Sequence, residues 1–224
     1  MLFLIWNPTS YIMKKIPLLI VFLSLFYNLN AQFYAKAGIK AGGNYNMLMG
    51  DDLDNASSTF GFHMGGLIEM MINRRGNIFF QPEILYSMQG TKFDIGDDEF
   101  NSSEKINLHY LSVPLMTKIF INGYADEWFF EAGPYLNFLL LAKNNMKGTL
   151  NGTPIKEETN VSESYSATDL GLSFGFGHKF FDRTIFISAR YNLGLTNINE
   201  FEDSNVNINN KNSVIQLSVG AIFN

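Results

Sequence analysis

The sequence predicts an eight-stranded antiparallel up-and-down transmembrane β-barrel, preceded by a cleavable signal peptide, and three observations carry the prediction. Eight segments alternate apolar and polar residues with period two. One face of these segments is polar and rich in glycine, while the other bears large aliphatic and aromatic side chains along its length. Short connections alternate with long polar ones. Composition suits one domain of this kind, with 224 residues, 46% hydrophobic, 15% aromatic and no cysteine. Without cysteine there is no disulfide scaffold, no thiolate metal site and no cysteine-linked lipid anchor. A net charge of -5 speaks against nucleic acid as a partner.

Residues 1–31 read as an N-terminal extension and signal peptide, and 32–224 as the barrel domain. Met13 opens a complete leader and is the expected start. Lys14 and Lys15 form the positive region, Ile16 to Phe26 the apolar stretch, and Ala31 the small residue before a cut ahead of Gln32. That stretch is too short for a helical span, and no later segment holds the ~18 uninterrupted apolar residues such a span needs. Removing the leader takes away two lysines and no acid, leaving 14 basic against 21 acidic residues, a net charge of -7.

The strands are expected near 33–48, 59–73, 77–93, 105–122, 127–142, 165–181, 184–197 and 211–223. In the first, Lys36, Gly38, Lys40, Gly42 and Asn44 oppose Ala35, Ala37, Ile39 and Ala41. In the second, Gly61, His63, Gly65 and Glu69 oppose Phe60, Phe62, Met64, Ile68 and Met70. In the third, Gln81, Glu83, Ser87 and Gln89 oppose Phe80, Ile84, Tyr86 and Met88. The fourth is less regular, with Ser112 and Lys118 against Leu111, Val113, Leu115 and Ile119. In the fifth, Phe129, Glu131, Gly133, Tyr135 and Asn137 oppose a row running from Trp128 to Leu140. The sixth sets Asp169, Gly171, Ser173, Gly175, Gly177 and Lys179 against Leu170, Leu172, Phe174, Phe176 and Phe180. The seventh sets Ser188, Arg190, Asn192 and Gly194 against Ile187, Ala189, Tyr191 and Leu193, and the eighth Gln216, Ser218 and Gly220 against Ile215, Leu217, Val219 and Ala221.

A solvated strand face usually carries many Lys, Glu and Thr side chains. A face of glycines with isolated charges of both signs suits a crowded interior instead. The continuous greasy face then looks at lipid, and hydrocarbon requires the sheet to close. Pro82, Pro114 and Pro134 fall inside strands, where bulges or bends are expected because proline cannot donate to a ladder.

Connections at "NRRGN", "NGYAD" and "FDR" are short; "MGDDLDNASS", "DIGDDEFNSSEK", "KNNMKGTLNGTPIKEETNVSES" and "NINEFEDSNVNINN" are long. Long loops belong outside the cell, which with an even strand count places both termini in the periplasm. Within 49–58, 94–105, 142–166 and 197–211 there are 14 acidic and 5 basic residues, about -9 in net charge.

The candidate site is the set of inward charges, Lys36, Lys40, Lys118, Lys179 and Arg190 against Glu69, Glu83, Glu131 and Asp169. An eight-stranded barrel is just wide enough for side chains to fill, and buried charges must pair. A structural ion-pair network is therefore expected. Catalytic residues, cofactors and metals are not expected. His63, His109 and His178 lack metal-ligand spacing, with His63 inward and the others near strand ends or lipid. The acidic runs "GDDLDN" and "GDDEFNSSE" lack calcium-loop spacing, and no phosphate-binding glycine motif is present.

The ordered stretches "AGIKAGGNYNML", "GFHMGGLIE", "FQPEILYSMQGTKF", "INLHYLSVPLMTKIF", "FFEAGPYLNFLL", "DLGLSFGFG" and "ISARYNLGLTNI" resemble the PorT-like family of small outer-membrane barrels, from about residue 35 to the end. The resemblance implies an outer-membrane protein with lipid and the barrel assembly machinery as partners. The family's usual aromatic ending is here Phe223 followed by Asn224. One family namesake serves a secretion and gliding apparatus, a role that membership alone does not transfer. The function expected is non-enzymatic, an interaction with an envelope protein or support of the envelope through the loops. The alternatives are an enzyme acting on lipid or peptide at the outer rim, and a soluble lipocalin-like carrier, which would keep an apolar lumen.

Overall fold

The computed structural model describes residues 35–50, 56–97, 100–121, 127–150, 153–182, 184–199 and 209–223. The leader expected at 1–31, residues 122–126 of the short connection "NGYAD" and residues 200–208 of the last connection lie outside them. The described chain forms β1 (Ala35–Gly50), β2 (Ala56–Ser57), β3 (Thr59–Met71), β4 (Ile78–Asp97), β5 (Phe100–Phe120), β6 (Trp128–Leu150), β7 (Thr153–Asn160), β8 (Thr168–Phe180), β9 (Ile185–Gly194) and β10 (Asn210–Ile222). Eight of these close a ring in the order β1, β3, β4, β5, β6, β8, β9, β10 and back to β1, antiparallel throughout. β2 and β7 pair with β4 and β6 outside the ring. A closed ring leaves no edge to satisfy, which is what hydrocarbon demands.

Period two sorts the side chains. Phe60 on the outer wall is 75% exposed and Phe176 53%, whereas Lys118 on the inner face is 0% exposed and Glu83 1%. A water-soluble sandwich shows the opposite sorting. Aromatic rings mark both ends of the wall, as at the two interfaces of a membrane barrel. Tyr45 packs on Phe60 and Phe62 on Tyr86 toward the long connections. Trp128 and Phe180 flank His178 at the short-turn end.

The irregular alternation of β5 has a cause. Leu108, Tyr110, Met116 and Phe120 share the inner face with Ser112 and Lys118 and are buried. Leu108 and Tyr110 belong to a cluster with Ala142 and Ile198 near the long connections. Phe120 belongs to one with Leu67, Phe79, Phe129, Phe186 and Ile222 near the short turns.

Inward glycines receive the large inward side chains of the neighbouring strand. Across β6 and β8, Phe129 lies opposite Gly177, Glu131 opposite Gly175 and Tyr135 opposite Gly171. Phe186 faces Gly220 and His63 faces Gly42 in the same way. A Cβ on Gly177 would come within 2.3 Å of the Phe129 ring, and one on Gly220 within 2.3 Å of Phe186. Large opposite small is how a narrow barrel fills its interior.

Two expectations need correction. The prolines cause no change of register; the shift that does occur lies between His109 and Tyr110, where β6 bulges. Pro82 pairs with Leu115 on β5, Pro114 with Tyr135 on β6 and Pro134 with Leu172 on β8. On its other side each proline adjoins a two-residue break in the ladder, Ile68–Glu69 against Gln81–Pro82, Glu83–Ile84 against Val113–Pro114, and Leu115–Met116 against Gly133–Pro134. An inner strand residue bonds to one neighbour, so a missing N–H interrupts one ladder and spares the other. The second correction concerns the long connections. Those at 94–105 and 142–160 are largely strand: β4 and β5 stay paired to Asp97 and Phe100, and β6 and β7 to Leu150 and Thr153. The two residues between Leu150 and Thr153 are Asn151 and Gly152, the dipeptide that two-residue hairpin turns favour. At the other end, "NRRGN" closes a short turn in which Gly76 takes φ +70°, a conformation glycine adopts without strain.

Candidate functional site in the barrel interior

Register brings carboxylates and cations of different strands to common heights. Glu131 on β6, Gly175 on β8 and Arg190 on β9 are aligned neighbours. A Cβ on Gly175 would stand 3.1 Å from Glu131 Oε1, so the glycine leaves the carboxylate room beside Arg190. Arg190 Nε donates to Glu131 Oε1 at 2.9 Å, while Nη1 and Nη2 donate to the two oxygens of Glu83 at 3.0 and 2.8 Å. Lys40 Nζ donates to Glu83 Oε2 at 3.3 Å and Gln81 Nε2 to Glu83 Oε1 at 2.6 Å. One level nearer the short turns, Lys179 Nζ donates to both oxygens of Glu69 at 2.8 and 2.6 Å, and Lys118 Nζ to Glu69 Oε1 at 3.3 Å. Lys118 also donates to Gln81 Oε1 at 2.6 Å, so Gln81 joins the two levels.

The result is one connected lattice of Lys40, Lys118, Lys179 and Arg190 with Glu69, Glu83 and Glu131, four cations against three anions. In ring order β4 and β9 are diametrically opposite, as are β3 and β8. Arg190–Glu83 and Lys179–Glu69 are therefore struts across the full width of the barrel. Beneath them the phenylalanines of the lower cluster offer ring faces to the ammonium groups. Lys118 Nζ lies 4.2 Å from the Phe129 centroid and Lys179 Nζ 5.1 Å from that of Phe120.

Two of the nine sequence candidates differ in their setting. Lys36 is half-buried at the short-turn end, opposite Glu69 in register. Asp169 is buried, but its partners are neutral donors, with Asn137 at 3.0 Å, Asn212 at 3.1 Å and Thr196 at 3.3 Å. Gln81 is the member that a search for charges passes over; its inward position in an alternating strand was the available signal. Between the ion lattice and Asp169 lies a neutral level. There His63 is held by Asn44 Oδ1 at 2.7 Å and Ser218 Oγ at 2.8 Å, and Gln216 Nε2 donates to Asn44 at 3.1 Å.

His109 and His178 lie on the outer wall, the first bonded to the Tyr86 hydroxyl and the second beside Glu127. Among the described residues, no histidine is thus held with Asp and Ser at the outer rim. Among the described residues no three His, Asp or Glu side chains are grouped to hold a metal ion. The carrier alternative is contradicted by the sorting itself, since the charged face is inside and the apolar face outside. Near the long connections a cavity of about 260 Å³ opens among Leu48, Phe93, Glu104, Ile106, Tyr165 and Ile198.

A search of curated proteins returns no match. Among solved structures, the chain is similar in fold to Ail, the attachment invasion locus protein of Yersinia pestis, at 13% identity over 84% of this chain and 99% of that one, with a TM-score of 0.42. Neisserial surface protein A is similar at 13% identity over 84% and 99%, with a TM-score of 0.44. OprG of Pseudomonas aeruginosa is similar at 12% identity over 85% and 95%, with a TM-score of 0.35. These likenesses carry nothing about activity. The family model described as outer membrane protein beta-barrel domain matches residues 28–200, and this chain, an outer-membrane β-barrel protein, belongs to that family.

Proposed function

We propose that this protein is a non-conducting, non-enzymatic barrel that anchors an extracellular sheet in the outer membrane for contact with an envelope partner. The observation that carries the reading is the occupied interior. Ion struts cross the lumen at two heights, an apolar cluster lies at each end, and the charged groups between them are buried. An ion path would need continuous water-lined space, and an eight-stranded barrel offers little beyond what side chains fill. Reconstituted in planar bilayers, the protein is expected to show no unitary conductance; steady, resolvable channel steps would overturn the reading.

The ordered strand motifs support a PorT-like member within the family, with the leader at 13–31 removed on export and insertion by the barrel assembly machinery. In this reading both termini and the short turns are periplasmic and the long connections outside. A tag inserted at Gly152 is expected to be labelled on intact cells and one at Gly123 not. Recovery of the intact barrel with its envelope partners tests the contact; a secretion component among them would extend the namesake's role to this chain.

A further inference from the structure

Beyond the apolar belt, β4, β5, β6 and β7 continue as a four-stranded sheet whose two faces differ in charge. On the face that continues the outer wall, one cross-strand row holds Lys92, Lys105, Asn145 and Glu158. The next holds Ser103, Lys147 and Lys156, with Asp94 at the remaining strand position. Lys143 lies in the row nearer the membrane and pairs with Glu158. The opposite face, on the side of the barrel mouth, carries Phe93, Glu104, Met146 and Glu157 in one row. Of the five basic residues in the long connections, Lys105, Lys143, Lys147 and Lys156 all lie on the outer face, joined there by Lys92.

Lys92 stands directly opposite Lys105, and Lys147 directly opposite Lys156. Like charges in directly opposed positions are unfavourable. Together with Ser103, Asn145 and Glu158 these lysines line a depression of about 300 Å³, in which Glu158 is the carboxylate already paired with Lys143. An anion seated there removes the repulsion. The face also has a defined outlook. It points away from the lumen and is continuous, down the same strands, with Leu111, Phe138 and Ile84 of the lipid-facing wall, past the Tyr86–His109 pair. Groups on such a face, just above the apolar belt, meet lipid headgroups, and lysines there are drawn to anionic ones.

We propose that this lysine face binds the phosphate groups of outer-leaflet lipids seated beside the barrel. The proposal rests on the orientation given above, with the long connections outside. Its test uses full-length protein in neutral detergent, presented with phosphorylated lipid A or with the same lipid stripped of phosphate, and bound lipid read by native mass spectrometry. The phosphorylated lipid should be retained about tenfold more strongly. The combined Lys92→Gln, Lys105→Gln, Lys147→Gln and Lys156→Gln variant should lose the preference while keeping its heat-dependent gel mobility. The matching four-arginine variant should retain it. Equal retention of the two lipids by the unmodified protein, or an unchanged preference in the glutamine variant, overturns the proposal. So does lysine-dependent binding of a soluble sulfated oligosaccharide without any lipid preference, which would assign the face to a soluble polyanion. Failure here leaves the conductance and labelling results untouched, so the two readings fail separately.

Discussion

The levels around Glu69 and Glu83 and the levels around Asn44 and Asp169 treat buried polar groups differently. Every oxygen of Glu69 and Glu83 accepts at least one hydrogen bond from a cation. Toward the long connections, Asn46 Oδ1, Gln89 Oε1, Asn137 Oδ1 and Asn210 Oδ1 are buried without a protein partner. The difference follows from cost. Leaving a buried carboxylate or ammonium unpaired is far more expensive than leaving one amide oxygen unmet, so geometry is strict where charges are and lax where amides are.

Substitutions can test that contrast, with unfolding in lipid vesicles by urea as the common measurement. The largest effect is expected at Glu83, which serves two cations. Glu83→Ala strands Lys40 and part of Arg190 and should cost about 3–5 kcal/mol. Glu131→Ala should cost less, about 1.5–3 kcal/mol, because Arg190 keeps Glu83. For the same reason, adding Arg190→Met should deepen the loss; a recovery would mean that Arg190 and Glu131 act as an isolated pair. Gly177→Val intrudes on the Phe129 ring and on the Ile187 carbonyl oxygen, 2.5 Å from the added Cβ, and should cost about 1–3 kcal/mol, with only part of it recovered when Phe129→Leu is added. Asp169→Asn preserves shape among neutral partners and should stay within about 1 kcal/mol of the parent; a loss as large as that at Glu83 would erase the distinction between the levels. Smallest is Glu158→Gln. The hydrogen bond from Lys143 holds this exposed carboxyl below the ordinary carboxylate range, yet solvent screens the pair and the unfolding midpoint should not move.

The two faces of each ring strand are legible in the sequence because a side chain's face depends only on the parity of its position. Glu131 and Phe130 are told apart without knowing any neighbour. Partners are another matter. Lys118 stands directly opposite Glu131 in register, yet its ammonium reaches Glu69 and Gln81. Arg190 spans the lumen to Glu83, 107 positions away in the chain. Which of several cations meets a given carboxylate is decided by side-chain reach across a closed ring, and alternation carries no information about it. The extended hairpins are hidden for a different reason. Outside the membrane neither face of β7 need be apolar, so the alternation that marks a strand fades, and Asn151-Gly152 is the surviving signal.

The breaks beside the prolines coincide with the ion lattice. Glu69 and Gln81 occupy the break between β3 and β4, and Glu83 that between β4 and β5. Where the backbone relinquishes its bonds, side chains bridge the neighbourhood: Lys118 on β5 holds Gln81 on β4 and reaches past it to Glu69 on β3, and Lys40 on β1 reaches Glu83 on β4. The β1–β10 seam, by contrast, runs unbroken from Gly38–Ile222 to Gly50–Asn210. These breaks predict that the barrel's wall opens first in the middle of its sheet and not at the joint where its two ends meet, with the charges at its centre limiting how often. Amide exchange near Ile84 and Val113 should quicken in Glu83→Ala long before the seam loosens.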